Sequence, residues 1–430
     1  MDYFDYRNGS LFCEDVPVAE IAAKVGTPVY AYSARTLREH YVKLLAAFAE
    51  LSPTICYSIK SLSNLHVLRL LQSLGSGFDV VSGGELVRAR EAGGEMSKVV
   101  FAGVAKTDGE IRQAIDAGIG LFNIESEQEF ENVARLCRQA GRTMRAALRV
   151  NPDIDPKTHR YTSTGKKETK FGVDIERAER FFQTYGRTES LRLDAIHLHI
   201  GSPIYTADPY VEAITKTLAM IERLRAAGFA VRTLDIGGGF AADYEFGKSP
   251  TFATYAAAIV PLLRDRGLEV ILEPGRSINA NAGVLLAGVL YVKQGGERNF
   301  VIVDAAMTDL IRPALYGSEH FVWPARLGEG QPVLRREDRR ISHEAAGGVK
   351  VDVVGGVCES SDFLAKDRVL PPLQRGDLLT VFTAGAYGFA MSSQYNSRPR
   401  AAEVLVDGAT WRVIRRRETY DDLLAAEQSL

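Results

Sequence analysis

Cysteine is scarce in this chain: four among 430 residues (Cys13, Cys56, Cys137 and Cys358), widely spaced and without a CxxC pair. That excludes a disulfide framework and a cysteine-built metal site, and it fits free thiols in a reducing cytoplasm. An excess of one charge is missing too, since 52 Lys+Arg against 54 Asp+Glu leave a net charge of −2. Nothing in that balance calls for nucleic acid or an anionic membrane as partner. The one basic cluster, Arg415, Arg416 and Arg417, is short and followed by acids, as a solvated surface is. Long apolar runs are absent as well. The longest, 282–292, is broken by glycines and falls well short of the ~20 residues that span a bilayer. The start (Met1, Asp2, Tyr3, Phe4, Asp5) lacks the basic-then-apolar order of a signal peptide, so a cytoplasmic location is expected.

What is present is the composition of a large folded chain, 46% hydrophobic and 25% charged, long enough for two domains. Apolar, β-branched runs at 55–59, 77–81, 99–103, 120–124, 145–150, 194–200, 232–236 and 269–272 read as strands. Helical patterns lie between them, at 64–74, 84–92, 108–117, 127–139 and 210–227, and several stop at a glycine (Gly75, Gly93, Gly118, Gly141, Gly228) suited to a left-handed cap. Eight such alternations predict an α/β fold, a (β/α)8 TIM-like barrel, whose chemistry belongs at the C-terminal strand ends. Lys60, Asp79, Glu125, Arg149, His199, Gly237–Gly239 and Glu273 all fall there. An open doubly wound sheet accounts for the alternation but not for reactive groups on so many strands. Beyond about residue 285 the pattern turns short and β-rich (300–304, 349–354, 378–383, 402–406). The expected organisation is a barrel over 29–285 and a mostly β second domain over 286–430, joined by 1–28. The polar, lysine-rich stretch 151–173 is long enough to be a functional loop.

Several strand-end groups fit one cofactor. Lys60, after the apolar Tyr57, Ser58 and Ile59, is a candidate amine for the aldehyde of pyridoxal phosphate. Glu273, in the run Glu273, Pro274, Gly275, Arg276, is the candidate for the pyridine nitrogen, where a carboxylate keeps the ring protonated and electron-accepting. Gly237, Gly238 and Gly239 let backbone N–H groups approach a phosphate, with Ser202 and Arg276 as further contacts. Singly, each has a plainer reading: a surface lysine, a turn-capping glutamate, an ordinary glycine turn that is not GxGxxG. His197 and His199 share one strand face. They suit a ring stacked on a cofactor, a metal site of the barrel-hydrolase kind, or packing. A metal needs further ligands at other strand ends, and His40, His66, His159, His320 and His343 occupy none, so no metal is expected. Cys358, in a polar loop, reads as an accessible thiol or as a small buried apolar residue.

An ordered set of motifs goes further. It comprises Tyr57 to Lys60, Phe78 with Asp79, His159 with Tyr161 through Thr164 and Gly165 to Lys170, Phe171 and Gly172, and His197 to Ser202. Gly237 to Phe240, Glu273 to Ser277, Asp309 to Tyr316, Cys358 to Asp362 and Gly385 to Gly388 complete it. Over nearly its whole length the chain resembles the diaminopimelate decarboxylases, of the fold-type III pyridoxal-phosphate decarboxylases. The resemblance implies an alanine-racemase-like barrel plus β domain, and the conversion of meso-2,6-diaminopimelate to L-lysine and carbon dioxide, the last step of lysine biosynthesis. It makes Lys60 the amine that holds the cofactor, His199 the stacking ring and Glu273 the partner of the ring nitrogen. Asp79, Ser202, Gly239, Gly275 and Arg276 complete the cofactor site, with Tyr387 near the phosphate. Cys358 becomes the acid that returns a proton to the α-carbon. It implies a homodimer in which Cys358 and Glu359 serve the neighbouring subunit's site. One departure is Pro203, where many members carry glutamine.

A substrate with a distal carboxylate and a distal ammonium needs both of them paired once desolvated. Arg312 with Tyr316, helped by Arg276, suits the carboxylate, and Glu359 the ammonium; Tyr387 is a further substrate-binding candidate. An ornithine or lysine decarboxylase would gain nothing from an arginine facing a lone ammonium. Outside its motif, Arg312 would read as a loop arginine on the surface. The rivals are a decarboxylase for another amino acid, such as a carboxyspermidine, and a non-catalytic relative.

Overall fold

The computed structural model describes residues 2–155, 170–328 and 333–428. His159, Tyr161, Thr164, Gly165 and most of the loop expected over 151–173 lie outside the described residues. The chain divides into two compact units, His40–Ala241 with Pro250–Ser277, and Met1–Glu39 with Ala242–Ser249 and Ile278–Leu430.

The first unit is a closed barrel of eight parallel strands. In chain order they are Thr54–Ser58, Gly77–Val80, Val99–Phe101, Leu121–Ile124, Met144–Asn151, Leu191–His197, Thr233–Asp235 and Glu269–Leu272. Each pairs with the next, and the eighth closes onto the first, Ile271 opposite Thr54. The two-residue strand Val173–Asp174 adds to the fifth. Crossover helices such as Leu65–Gln72, Gly83–Glu91, Asp108–Ala117 and Glu127–Gln139 are started by side chains that accept backbone N–H bonds, from Asn64, Ser82, Thr107 and Ser126. At Thr107 the bond is reciprocal: Glu110 reaches back to the cap, forming a capping box. Gly118 ends that helix at φ +68°, a conformation side chains with a Cβ avoid. The barrel interior is apolar at one level, where Cys56, Val100, Leu121, Ala147 and Ala195 pack with Ile271. Side chains two residues further along a strand point the same way. That step, toward the C-terminal ends, gives Ser58 from Cys56, Asn123 from Leu121, Arg149 from Ala147, His197 from Ala195 and Glu273 from Ile271. One apolar layer thus carries a polar one.

The second unit is mostly β. Its main sheet runs in the order Phe363–Leu370, Val349–Val354, Arg298–Val303, Gly283–Gly295, Val29–Ser33, Ala402–Asp407, Thr410–Arg415. Leu378–Val381 joins it through Gly283–Gly295 and also pairs with Val322–Pro324. The longest apolar run of the sequence lies in the 13-residue strand Gly283–Gly295, buried up to Val289 and exposed beyond it. Among the described residues no helix is long and apolar enough to cross a membrane.

Candidate active site

Lys60 sits just past the first barrel strand, in the single 3-10 turn Ile59–Ser61. Its Nζ lies 2.6 Å from Oδ2 of Asp79, at the end of the second strand, and the lysine side chain stays 34% exposed while Asp79 is fully buried. Ser58 donates to the same oxygen at 2.5 Å. Burial and the charge on Glu273 push the Asp79 carboxyl up, against the pull of Lys60. The ammonium thus has a short, directed contact with a buried carboxyl at the C-terminal strand ends of the barrel.

The polar layer lies beside this pair. Asn123 Nδ2 donates to Glu273 Oε1 at 3.2 Å, and His197 Nε2 lies 3.3 Å from Glu273 Oε2. Burial works against the charge on Glu273, but His197, then Lys60, outweigh it, and its carboxyl stays far below the usual range. Asp235 moves the other way: burial, then the Glu273 charge, push it well above that range, although Gly237 N–H donates to its Oδ1 at 2.8 Å. Three carboxyls crowded into a low-dielectric layer cannot all ionise. Glu273 keeps its charge. His197, Asp235 and Glu273 each bring one potential metal ligand atom within 4.8 Å of the others. The histidine pair has no further ligands legible in the sequence; among the described residues the fold brings two carboxyls, Asp235 and Glu273, to His197.

His199 lies past the sixth strand, half-buried, and accepts from Gly238 N–H through Nδ1 at 3.4 Å. Burial, then Arg149 and Lys60, drive its pKa well down, so the ring is neutral and carries its proton on Nε2. Arg276 is buried and donates from Nε to Ser202 Oγ at 3.2 Å. A Cβ on Gly275 would lie 3.0 Å from Ser58 Cβ and from Ser61 Oγ, so glycine lets this turn close tightly on the first strand's end. No helix follows Gly239 directly; the next is Phe252–Leu263. Glu125 and Arg149, also at strand ends, pair with each other at 3.2 Å, and Glu125 accepts Gly103 and Gly172 N–H groups at 3.0 Å each. They brace the barrel rim.

The β-rich unit holds the remaining candidates. Arg312 is buried, its guanidinium 5.0 Å from the Tyr244 ring and 6.0 Å from Tyr316. It donates to His320 Nε2 at 3.4 Å and to Ser318 Oγ at 3.3 Å. Cys358 is exposed on the loop between Val349–Val354 and Phe363–Leu370, its N–H donating to Asn396 Oδ1 at 2.9 Å. Glu359 accepts from Tyr395 at 3.2 Å and Ser361 at 3.1 Å. Tyr387, at φ +55°, packs against Ala242, Ala280 and Ala386.

The barrel residues fit pyridoxal phosphate. They offer a half-open amine, an ionised carboxylate, a neutral imidazole and an arginine–serine pair suited to a phosphate. Asp79 Oδ1 and His197 Nδ1 are buried without a hydrogen-bond partner among the described residues. Residues 34–280 match the pyridoxal binding domain of the pyridoxal-dependent decarboxylases. The diaminopimelate decarboxylase of Pseudomonas aeruginosa is 45% identical over 430 residues, covering all of both chains. That of Aquifex aeolicus is 44% identical over 420 residues, 97% of this chain and 96% of its own. The chain belongs to the diaminopimelate decarboxylases. The crystal structure of the Helicobacter pylori member of this family, complexed with L-lysine, superposes with a TM-score of 0.89 at 38% identity, covering 96% of this chain and 99% of that one. As a pyridoxal-phosphate decarboxylase of fold type III, this protein has the expected barrel and β-rich second domain.

Asn123 and the pairing of His197 with Glu273 were not read from the sequence. The signal was present: each lies two residues past a small or apolar strand residue, the spacing that turns side chains into the barrel.

Proposed function

We propose that this decarboxylase acts on meso-2,6-diaminopimelate, releasing carbon dioxide from the carbon of D configuration and leaving L-lysine, in the cytoplasm. The observation that carries the reaction type is the meeting of Lys60, Asp79 and Glu273, whose two oxygens face Asn123 and His197, at the C-terminal strand ends of one barrel. Bound there, pyridoxal phosphate supplies a sink for the electron pair left when a carboxylate departs. Lys60 holds the cofactor by its amine, and Asp79 holds Lys60. Glu273 keeps negative charge where the ring nitrogen carries its proton, and His199 offers a neutral flat face. Arg276, Ser202, Gly239 and Gly275 receive the phosphate, with Tyr387. Arg312, with Tyr316, takes the distal carboxylate and Glu359 the distal ammonium. Cys358 returns a proton to the α-carbon. The protein works as a homodimer in which Cys358 and Glu359 serve the other copy's site. Three cysteines, Cys13, Cys56 and Cys137, are free and buried, which agrees with a reducing compartment.

The test is turnover of meso-2,6-diaminopimelate by the holoenzyme, with carbon dioxide measured and the product identified as L-lysine. Faster carbon dioxide release from ornithine, lysine or a carboxyspermidine would overturn the substrate assignment.

A further inference from the structure

We propose that Asn123 and His197 are positioning residues for the cofactor's ring chemistry. Each holds one oxygen of Glu273 and thereby keeps that carboxylate fixed and facing the pyridine nitrogen. The inference rests on the reading of Glu273 as the partner of that nitrogen, and deepens it.

A glutamate side chain has three rotatable bonds and, when ionised, only acceptor oxygens. Left alone in a buried layer it would turn toward any donor or take up a proton. Here both oxygens are engaged, Oε1 by Asn123 Nδ2 at 3.2 Å and Oε2 by His197 Nε2 at 3.3 Å. The geometry fixes the donors: an ionised oxygen requires the amide NH2 of Asn123 rather than its carbonyl, and a proton on His197 Nε2. Both clamps are themselves rigid. Asn123 is fully buried, and its backbone carbonyl accepts from the Lys106 ammonium at 2.8 Å; that ammonium also binds Glu129 at 2.6 Å. His197 is 1% exposed and stands on the sixth strand opposite Asp235, its backbone neighbour on the seventh. Glu273 N–H donates to Gly237 O at 2.8 Å, which fixes the main chain beneath the side chain.

The competing carboxyls show why a clamp matters. Asp235 and Asp79 are buried in the same neighbourhood, and among the described residues neither has side-chain N–H or O–H donors on both oxygens: Asp235 takes a backbone N–H and shares a side-chain contact with Glu273, and Asp79 takes Ser58 and Lys60 on a single oxygen. Without Asn123 and His197, Glu273 would lose the donor on each oxygen and the largest influence favouring its charge, leaving chiefly Lys60 to oppose its burial. The ring nitrogen would then lose the charge that keeps its proton.

The experiment uses the holoenzyme loaded with pyridoxal phosphate labelled with 15N at the ring nitrogen, whose chemical shift separates protonated from free pyridine. Asn123→Leu and His197→Leu each remove one donor at similar volume, and His197→Gln restores an N–H near the original position. The expected result is a fall of roughly tenfold or more in the ratio of protonated to free nitrogen in both leucine variants, the loss of one charge-assisted bond. His197→Gln should recover most of it. Leucine variants that bind the cofactor and keep the wild-type shift overturn the proposal, as does a His197→Gln variant no better than His197→Leu. Should His197→Leu fail to fold, Asn123→Leu reads the opposite oxygen alone, and an unchanged shift there is equally decisive. Glu273→Gln separates the two claims. If it too leaves the nitrogen protonated, the assignment of Glu273 fails, rather than the clamp.

Discussion

If Arg312 grips the distal carboxylate, its own rotamer must be fixed first, and Arg312 has neighbours that do this. Tyr244 and Tyr316 lie near its charge, and His320 accepts from its Nε. His320 is set for that role because its Nδ1 faces Phe382 O at 3.0 Å, leaving Nε2 as the acceptor. Arg312→Met keeps length and removes the charge. It should raise KM for diaminopimelate roughly 10- to 100-fold, the cost of a lost charge-assisted pair, with a smaller change in kcat. Steady-state kinetics check this, and an unchanged KM would move the distal carboxylate elsewhere. At this scale the sequence is most legible where chemistry and position coincide: Lys60 and Glu273 are reactive types at strand ends, and the barrel rule puts those at the mouth. It is least legible where a neutral side chain acts through another. Asn123 sits inside Leu121–Ile124, an apolar-looking strand, and only the closure of the barrel puts it across from residue 273.

Loops that share a hydrogen-bond ladder move together, and those after the sixth and seventh barrel strands are joined in this way. Ile204 N–H donates to Gly239 O at 2.9 Å, and Ile204 bridges to Phe240. Gly239 has φ +101°, and a Cβ there would come within 2.4 Å of Gly201 O and 2.8 Å of the Tyr210 hydroxyl. Gly239→Ala should therefore push apart the two loops that carry Ser202 and Gly239. The expected cost is about 1–3 kcal/mol of strain, read by urea unfolding of the cofactor-free protein, together with weaker cofactor binding. Equal stability and equal affinity would show that the loops absorb the methyl group. Elements themselves were legible where periodicity and caps agree, as in 108–117, where the observed helix is Asp108–Ala117 with its capping box and Gly118. Expected strands ran too long at their C-terminal ends: 99–103 stops at Phe101, 194–200 at His197 and 232–236 at Asp235. The residues beyond, His199 apart, are apolar or glycine, as in a strand, but their backbone leaves the ladder to build the site. Val29–Ser33 is five buried residues of strand type that pair in the β-rich sheet, and nothing in their composition separates them from a barrel strand.

The stability of the whole molecule against pH sums opposing groups. Glu273, held low, contributes stability above the ordinary glutamate range and loses it on acidification. Asp309 acts in the opposite sense: burial lifts it from 3.8 to about 6, although Ala306 N–H donates to its Oδ2 at 2.9 Å. The folded chain keeps a proton that the unfolded chain gives up, so this site's contribution is full below the unfolded value and is lost as pH rises to about 6. Two pKa units correspond to about 3 kcal/mol. Asp309→Asn should flatten the decline in unfolding free energy over that interval, measured in urea at a series of pH values; an unchanged slope would assign the decline to other carboxyls. Assembly is the other property of the whole. If Cys358 and Glu359 act on the site of a second copy, every complete site draws on two chains. Lys60→Ala and Cys358→Ala homodimers are then both inactive, since one lacks the cofactor amine and the other the proton donor. After mixing and reassortment half the dimers are mixed, and each of these has one site with both defects and one with neither. Activity should return to about one quarter of wild type, as random pairing in a two-fold dimer requires. A mixture that stays inactive after exchange, shown by differently tagged chains copurifying, would place Cys358 in the site of its own chain.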